Sequence, residues 1–281
     1  MVAALGLNAS ALYFDGGLTG TTGPDGYRGT KLNLVIGEGN LAFEPSVTSY
    51  TSDALDKTYR TWGLRGAMET DKYTVGAEAG MTPEVNDYSN KYVGADITIS
   101  LTPTSGGKAR LAGPGSRGMA RSGDGITRVD VGAALKHTMH TNSAGTTDLD
   151  TAQTAATLFA GAKVLMLNLS ASFTGYSYGD DDATPQGFVP SHTFVTSAKP
   201  RSSVNARVDL PSTIPMVTPF AGYTVTKYKG GTAAAETDES TAILLGGYVD
   251  LNMLVANVTY QIFSYADETD SFVSIGAGIK F

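Results

Sequence analysis

Along most of this chain, apolar and polar residues change places at every step. At the C-terminal end Val273, Ile275, Ala277, Ile279 and Phe281 fall on one parity, and Phe272, Ser274, Gly276, Gly278 and Lys280 on the other. A period of two places successive side chains on opposite faces of a β-strand. About ten residues tilted near 45° are enough to cross a bilayer as β-structure. The same alternation recurs upstream and predicts strands at 3–11, 31–36, 41–48, 61–69, 73–81, 92–101, 128–136, 156–162, 165–174, 204–210, 217–225, 243–249, 254–262 and 271–281.

Those are fourteen segments, an even number, so an antiparallel sheet can close on itself with both termini at one rim. Tight turns are expected at 37–40, 69–72, near Lys163, at 211–215 and at 250–253. Longer connections are expected at 15–29, 51–57, around Pro83 and Asn86, and at 140–153, 179–202 and 229–239. With the termini on the periplasmic side, nearly every long connection lies outside and nearly every tight turn inside. That is the asymmetry of bacterial outer-membrane barrels.

One parity of these strands carries Leu, Val, Ile and Ala almost without charge. The other carries Lys31, Glu44, Arg65, Glu78, Asp96, Arg128, Asp130, Lys136, Arg207 and Asp209. On the apolar parity, Phe43, Tyr73 and Phe281 are expected near the periplasmic rim, and Tyr13, Trp62, Phe173 and Tyr260 toward the outer half, as in interfacial aromatic belts. The closing strand, ending on a lipid-face Phe281, resembles that of Gram-negative outer-membrane β-barrels, where such a residue is a sorting and assembly signal. The resemblance extends over the whole chain as architecture. It implies an all-β, transmembrane, up-and-down antiparallel barrel of fourteen strands, with twelve or sixteen as neighbouring counts. Residues 1–281 form one domain on this reading, located in the bacterial outer membrane. The physical alternative is a sandwich or jelly roll with the apolar parity as its core, but Ala and Gly are frequent on that parity and the strand count is large for a sandwich.

Composition narrows the function classes. No run of eighteen apolar residues exists among the 281, so no transmembrane helix is available. The start MVAALGLNAS lacks the charged region and long apolar core of a signal peptide and suits a chain whose export signal has already been removed. With no cysteine there is no disulfide framework, thiolate metal site or Cys nucleophile, and the net charge of −7 argues against nucleic acid as a partner. Acidic residues cluster in predicted connections, at Asp180 to Asp182, at Glu236, Asp238 and Glu239, and at Asp267, Glu268 and Asp270.

Few residues suggest chemistry. The histidines are His137, His140 and His192, and His140 with Asp148 or Asp150 is the pairing to inspect. No catalytic motif accompanies them, so no enzyme activity, metal or cofactor is expected. Gly106-Gly107-Lys108 lacks the spacing and strand-to-helix setting of a phosphate loop, and the triplets at Asn8 and Asn257 fall in predicted strands. One segment breaks the rhythm. Residues 102–125 are long, Gly-rich and basic through Lys108, Arg110, Arg117 and Arg121, at a position where a short periplasmic turn belongs. That segment reads as a loop, a lumenal plug or a contact for a periplasmic or other protein partner.

What remains is the lumen, since fourteen strands enclose more space than side chains fill. The predicted function is an outer-membrane channel for passive diffusion of small hydrophilic solutes or ions, lined by the ten charged residues above and in contact with the lipid bilayer and lipopolysaccharide. One alternative is a transporter of apolar compounds, suggested by inward Phe220, Leu244, Tyr248, Met253, Val255 and Phe263. Long-chain fatty-acid channels share the strand number but carry an N-terminal plug, for which the sequence ahead of residue 3 offers no segment. The other alternative is a scaffold or binding protein acting through its loops.

Overall fold

The computed structural model describes residues 13–53, 55, 57–70, 72–102, 127–142, 150–164, 167–179, 199–210, 216–229, 239–251, 253–265 and 268–280. Fourteen strands are present among the described residues. They are β1 (Tyr13–Thr22), β2 (Arg28–Glu38), β3 (Leu41–Thr51), β4 (Tyr59–Glu69), β5 (Tyr73–Val85), β6 (Tyr88–Ser100), β7 (Thr127–Asn142), β8 (Thr151–Val164), β9 (Leu167–Tyr178), β10 (Lys199–Asp209), β11 (Val217–Lys229), β12 (Glu239–Leu251), β13 (Leu254–Tyr265) and β14 (Glu268–Lys280). Each pairs antiparallel with the next, and β1 closes the barrel against β14. Closure satisfies every strand edge from within, which a hydrocarbon environment demands because it offers no water to unpaired N–H and C=O groups.

The strand expected at 3–11 lies outside the described residues, and the loop expected at 15–29 is corrected. Its first half, YFDGGLTGTT, forms β1 and supplies the fourteenth strand. Local propensity is poor for so much Gly, but two apolar strands need a partner here. β1 runs in register with β14 from Asp15↔Lys280 to Thr22↔Val273, and with β2 from Tyr13↔Gly37 to Thr22↔Arg28. Pairing on both edges overrides propensity. The shift also corrects Tyr13, which shares Asp15's parity, faces inward at the start of β1, and donates a hydrogen bond to Asp15 Oδ2 at 3.2 Å.

Two other expected loops shrink. Pro83 falls within β5, and the connection to β6 is only Asn86 and Asp87, at φ 50° and 61°. Those values are the left-handed pair of a two-residue hairpin turn, a conformation that Asn and Asp tolerate. β7 continues to Asn142 and β8 begins at Thr151, so His140 and Gln153 sit in the wall rather than in a loop at 140–153. The turns after β2, β4, β8 and β12 hold two or three residues, whereas the connections after β3, β7, β9 and β11 are longer. The connections after β3, β7, β9 and β11 mark the outer rim, and those after β2, β4, β8 and β12 the inner rim. Residues 103–126, containing Lys108, Arg110, Arg117 and Arg121, lie outside the described residues.

Burial is inverted relative to a soluble protein. Leu18, Phe43, Trp62, Leu64, Val93, Leu135, Leu158, Phe173, Val258 and Ile275 are exposed around the circumference, while Asp15, Asn33, Glu44, Arg65, Asp130, Gln261 and Ser274 are buried. A continuous apolar surface on this scale needs a lipid surround. Tyr73 and Tyr260 are likewise exposed on it, while Phe281 lies outside the described residues.

Candidate functional site

The interior is chemically two-sided. On the β3–β7 wall, strand register brings charges together. Arg65 pairs across the sheet with Glu44 on β3 and Glu78 on β5. Its guanidinium reaches over β5 to Asp96 on β6, with Nη2 to Oδ1 at 2.7 Å and Nε to Oδ2 at 3.1 Å, and Nη1 stands 4.0 Å from Glu44 Oε2. The two-pronged geometry with Asp96 is the strong form of such a pair, and both side chains are about 5% exposed or less. In the same cross-strand row as Arg65 and Glu78, Lys136 Nζ on β7 lies 3.6 Å from Glu78 Oε1 and 3.6 Å above the Tyr92 ring. Lys136 and Glu78 are 40% and 27% exposed, so their side chains are not closed over by the rest of the interior. Asp130, on β7 near the inner rim, accepts a hydrogen bond from Ser100 Oγ at 2.6 Å.

The β8–β14 wall is mostly neutral between its rims, while at its outer end Lys199 and Lys229 stand over the Tyr178 ring at 5.7 and 5.5 Å. Thr157 and Thr174 share a hydrogen bond at 2.9 Å, Ser203 and Thr226 at 3.1 Å, and Thr21 and Ser274 at 2.9 Å, while Asn205 Nδ2 donates to Thr224 at 2.7 Å. Its main charged feature is Arg207, which donates to Asp209 Oδ1 through Nη2 at 2.7 Å and Nε at 3.0 Å. The Arg207 guanidinium rests 4.0 Å above the Phe220 ring, and Tyr248 Oη donates to Asp209 at 2.7 Å. At the inner rim Lys280 is ion-paired with Asp250.

Nine of the ten sequence-selected charges are placed by side chain: Glu44, Arg65, Glu78, Asp96, Asp130, Lys136, Arg207 and Asp209 as described, and Lys31 exposed on β2. Arg128 pairs in register with Lys163 at the start of β7. The partners of Arg65, Lys136 and Arg207 lie along the wall, within two strands, and their charges are compensated locally. Of the expected inward apolar residues, Phe220, Leu244, Tyr248, Val255 and Phe263 take inward positions. Met253 is corrected, since it sits in the β12–β13 turn and is exposed.

An inward aromatic collar near the outer rim was not visible as a site in the sequence. Tyr27, from the β1–β2 connection, meets Phe272 edge-on at 5.3 Å and stacks toward Tyr50, which stacks on Tyr59 at 5.3 Å with the planes 5° apart. Asn86 Nδ2 donates to Tyr59 Oη, and Tyr88 Oη is 2.8 Å from His140 Nδ1. His140 Nε2 faces Gln153, Gln153 donates to Tyr178 Oη at 2.9 Å, and Tyr178 Oη donates to the Pro200 carbonyl at 2.9 Å. Tyr228, Phe263 and Phe272, with Tyr265, complete the circuit back to Tyr27. Burial raises the pKa of Tyr27, which stays neutral at ordinary pH. His140 is therefore a link in this collar, held by Tyr88 and Gln153 rather than by Asp150, which is exposed; Asp148 lies outside the described residues. The signal that would have revealed the collar is parity, because Tyr50 shares that of Glu44, and Tyr88 and Tyr92 share that of Asp96.

Tyr88→Phe is expected to strip His140 Nδ1 and Asn90 of a buried partner and cost about 1–3 kcal/mol. A urea titration of the lipid-inserted barrel, followed by Trp62 fluorescence, measures this. An unchanged midpoint would mean that the collar is not a structural hoop.

No protein-family model and no curated protein matches the sequence. Among solved structures, CdiB from Acinetobacter baumannii is 12% identical with a TM-score of 0.52; the alignment covers 96% of this chain but only 60% of CdiB. OmpT of Vibrio cholerae, expressed in the outer membrane, is 11% identical with a TM-score of 0.51, covering 96% of this chain and 97% of that one. The CymD monoaromatic hydrocarbon channel is 12% identical with a TM-score of 0.51, covering 97% and 89%. At these identities the shared property is the fold, that of an outer-membrane β-barrel.

Proposed function

We propose that this barrel is an outer-membrane channel for passive diffusion of small hydrophilic solutes, uncharged ones foremost. The observation that carries this reading is the water-exposed interior at Lys136, Glu78 and Arg207, whose charges are each compensated by a neighbour on the same wall. Charged rings select ions through uncompensated field. A wall of closed pairs facing hydroxyl and amide groups offers hydrogen bonds with little net field. The same local compensation, Arg65 with Glu44 and Asp96, Lys136 with Glu78, Arg207 with Asp209, occurs on both walls.

The lipid partner follows from the outer surface. Arg28, Arg60, Lys91 and Lys227 take exposed, lipid-facing positions toward the outer-rim ends of β2, β4, β6 and β11, a placement suited to the phosphates of lipopolysaccharide. A second reading, transport of apolar compounds, draws on Phe220, Leu244, Tyr248 and Phe263 and on the name of CymD. It is disfavoured because Arg207 covers Phe220 and Phe263 is buried in the collar.

Planar-bilayer recording and liposome swelling test the proposal. The expected result is steady single-channel current with weak ion selectivity, and swelling driven by uncharged sugars. Lys136→Glu should shift selectivity toward cations. A folded barrel that passes neither ions nor sugars would sink the reading. Uptake of aromatic hydrocarbons without ion current would favour the second one.

A further inference from the structure

Large inward side chains in this barrel repeatedly lie opposite glycines. Cross-strand register pairs Tyr92 with Gly80, Phe159 with Gly132, Phe220 with Gly246, Glu78 with Gly94 and Asn257 with Gly276. In each case a Cβ built on the glycine would run into the opposing side chain. Arg65 uses the same device on a diagonal: a Cβ on Gly76 would stand 2.5 Å from its Nη2 and 2.6 Å from Asp96 Oδ2. Glycine leaves a slot in the inner wall, and the neighbouring side chain occupies it rather than projecting toward the axis, the same shape relation by which aromatic residues cover sheet glycines.

The most extended slot is on the β4–β6 wall. Ser46, Gly63, Gly80 and Tyr92 form one cross-strand row. Tyr92 lies across both glycines, and a Cβ on Gly63 would be 2.6 Å from its Oη and 2.8 Å from Ser46 Oγ. Tyr92 in turn is the floor for Lys136, whose ammonium sits 3.6 Å over the ring while reaching Glu78. On the opposite wall, Phe220 fills the slot at Gly246 and carries the Arg207 guanidinium flat on its face. In both places a glycine, an aromatic ring and a cation are stacked in that order from backbone to lumen.

We infer that these glycine slots set the size limit of the channel, with Gly63 and Gly80 beneath Tyr92 and Lys136 as the principal determinant. The inference rests on the diffusion-channel reading and names the residues that fix its bore. Filling a slot must lift its ring, and the cation resting on the ring moves with it. A single methyl group at Gly63 is itself too small and too close to the backbone to obstruct the lumen, so its effect has to pass through Tyr92.

Gly63→Ala is the variant of choice because the atoms it would meet are the ends of side chains, whereas Gly80, Gly132 and Gly246 also face backbone carbonyls. Single-channel conductance, with polyethylene glycols of graded size as the exclusion probe, is expected to fall in Gly63→Ala, and the exclusion limit to move to a smaller polymer. Gly63→Ala/Tyr92→Ala is expected to return both at least to the wild-type level. Wild type, Gly63→Ala, Tyr92→Ala and the double variant, followed by urea midpoint, give a packing readout independent of current: Gly63→Ala should destabilise only when Tyr92 is present. Wild-type current with an unchanged exclusion limit in Gly63→Ala, or with no coupling to Tyr92, overturns the inference and leaves the channel reading standing. A folded wild-type barrel that passes no current overturns both.

Discussion

Arg65→Ala is expected to destabilise the barrel by about 3–5 kcal/mol, the scale observed when one member of a buried ion pair is removed and its partners stay charged. Arg65 is enclosed by two carboxylates. Its guanidinium is bound through two hydrogen bonds to Asp96 and stands 4.0 Å from Glu44, and these three side chains are at most 10% exposed. Deleting the cation leaves two like charges on one wall with little water between them. Arg65→Lys keeps the charge but loses the planar fork that meets both Asp96 oxygens and reaches across Gly76, so it should recover only part of the loss. Arg65→Ala/Asp96→Ala should recover more, because it removes an orphaned acid together with its partner. The readout is the urea midpoint from the fluorescence of Trp62, the single tryptophan, which faces lipid and lies clear of the cluster. In the fraction that folds, current should become more cation-selective. A midpoint within about 0.5 kcal/mol of wild type, the range of ordinary surface substitutions, would show that the cluster contributes nothing to stability.

That cluster was half legible in the sequence. Parity alone assigned Glu44, Arg65, Glu78 and Asp96 to one face, because a strand with one lipid face tolerates charge only on the other. Which charges meet is a matter of register, and register is fixed by turn lengths and by the stagger of strands around a closed barrel. Arg65 meets Asp96 across β5 only because Gly76 offers no side chain there, a relation between three strands that no single segment contains. Register thus pairs Arg65 with Glu44 and Asp96, Lys136 with Glu78, and Arg207 with Asp209 along the wall.

The strand count was legible for a similar reason, and the position of the first strand was not. Segments such as 41–48 and 254–262 carry strong alternation and agree with β3 and β13. Residues 13–22 carry almost none, since Gly16, Gly17 and Gly20 dilute both faces, and they form β1 because β2 and β14 require an intervening edge. Alternation at 3–11 was the stronger local signal, and those residues lie outside the described ones. The collar escaped notice because aromatic residues near strand ends suit a lipid belt equally well. Parity, rather than aromatic character, separates Trp62 and Tyr260 outside from Tyr59 and Tyr265 inside.

Leu158→Arg is expected to cost about 2–4 kcal/mol, the penalty for a cation on the lipid face near the bilayer midplane. Leu158 occupies the middle of β8 and is 64% exposed, with Ala156 and Ala160 beside it on the same face. In a soluble protein an exposed leucine replaced by arginine would be close to neutral. The sign and size of the effect thus depend on what surrounds the barrel rather than on any contact within it. Thr154, four residues closer to the outer rim on the same face, supplies the control: Thr154→Arg should cost about 0–1 kcal/mol, because a long side chain there reaches the interface. Neither substitution touches the lumen, so refolded protein should keep wild-type conductance and solute cutoff. Equal tolerance at both positions would contradict a bilayer centred on Leu158. A loss at Thr154 as large as at Leu158 would place the membrane boundary beyond the outer rim and require the collar of Tyr59, Tyr88 and Tyr228 to lie at membrane depth.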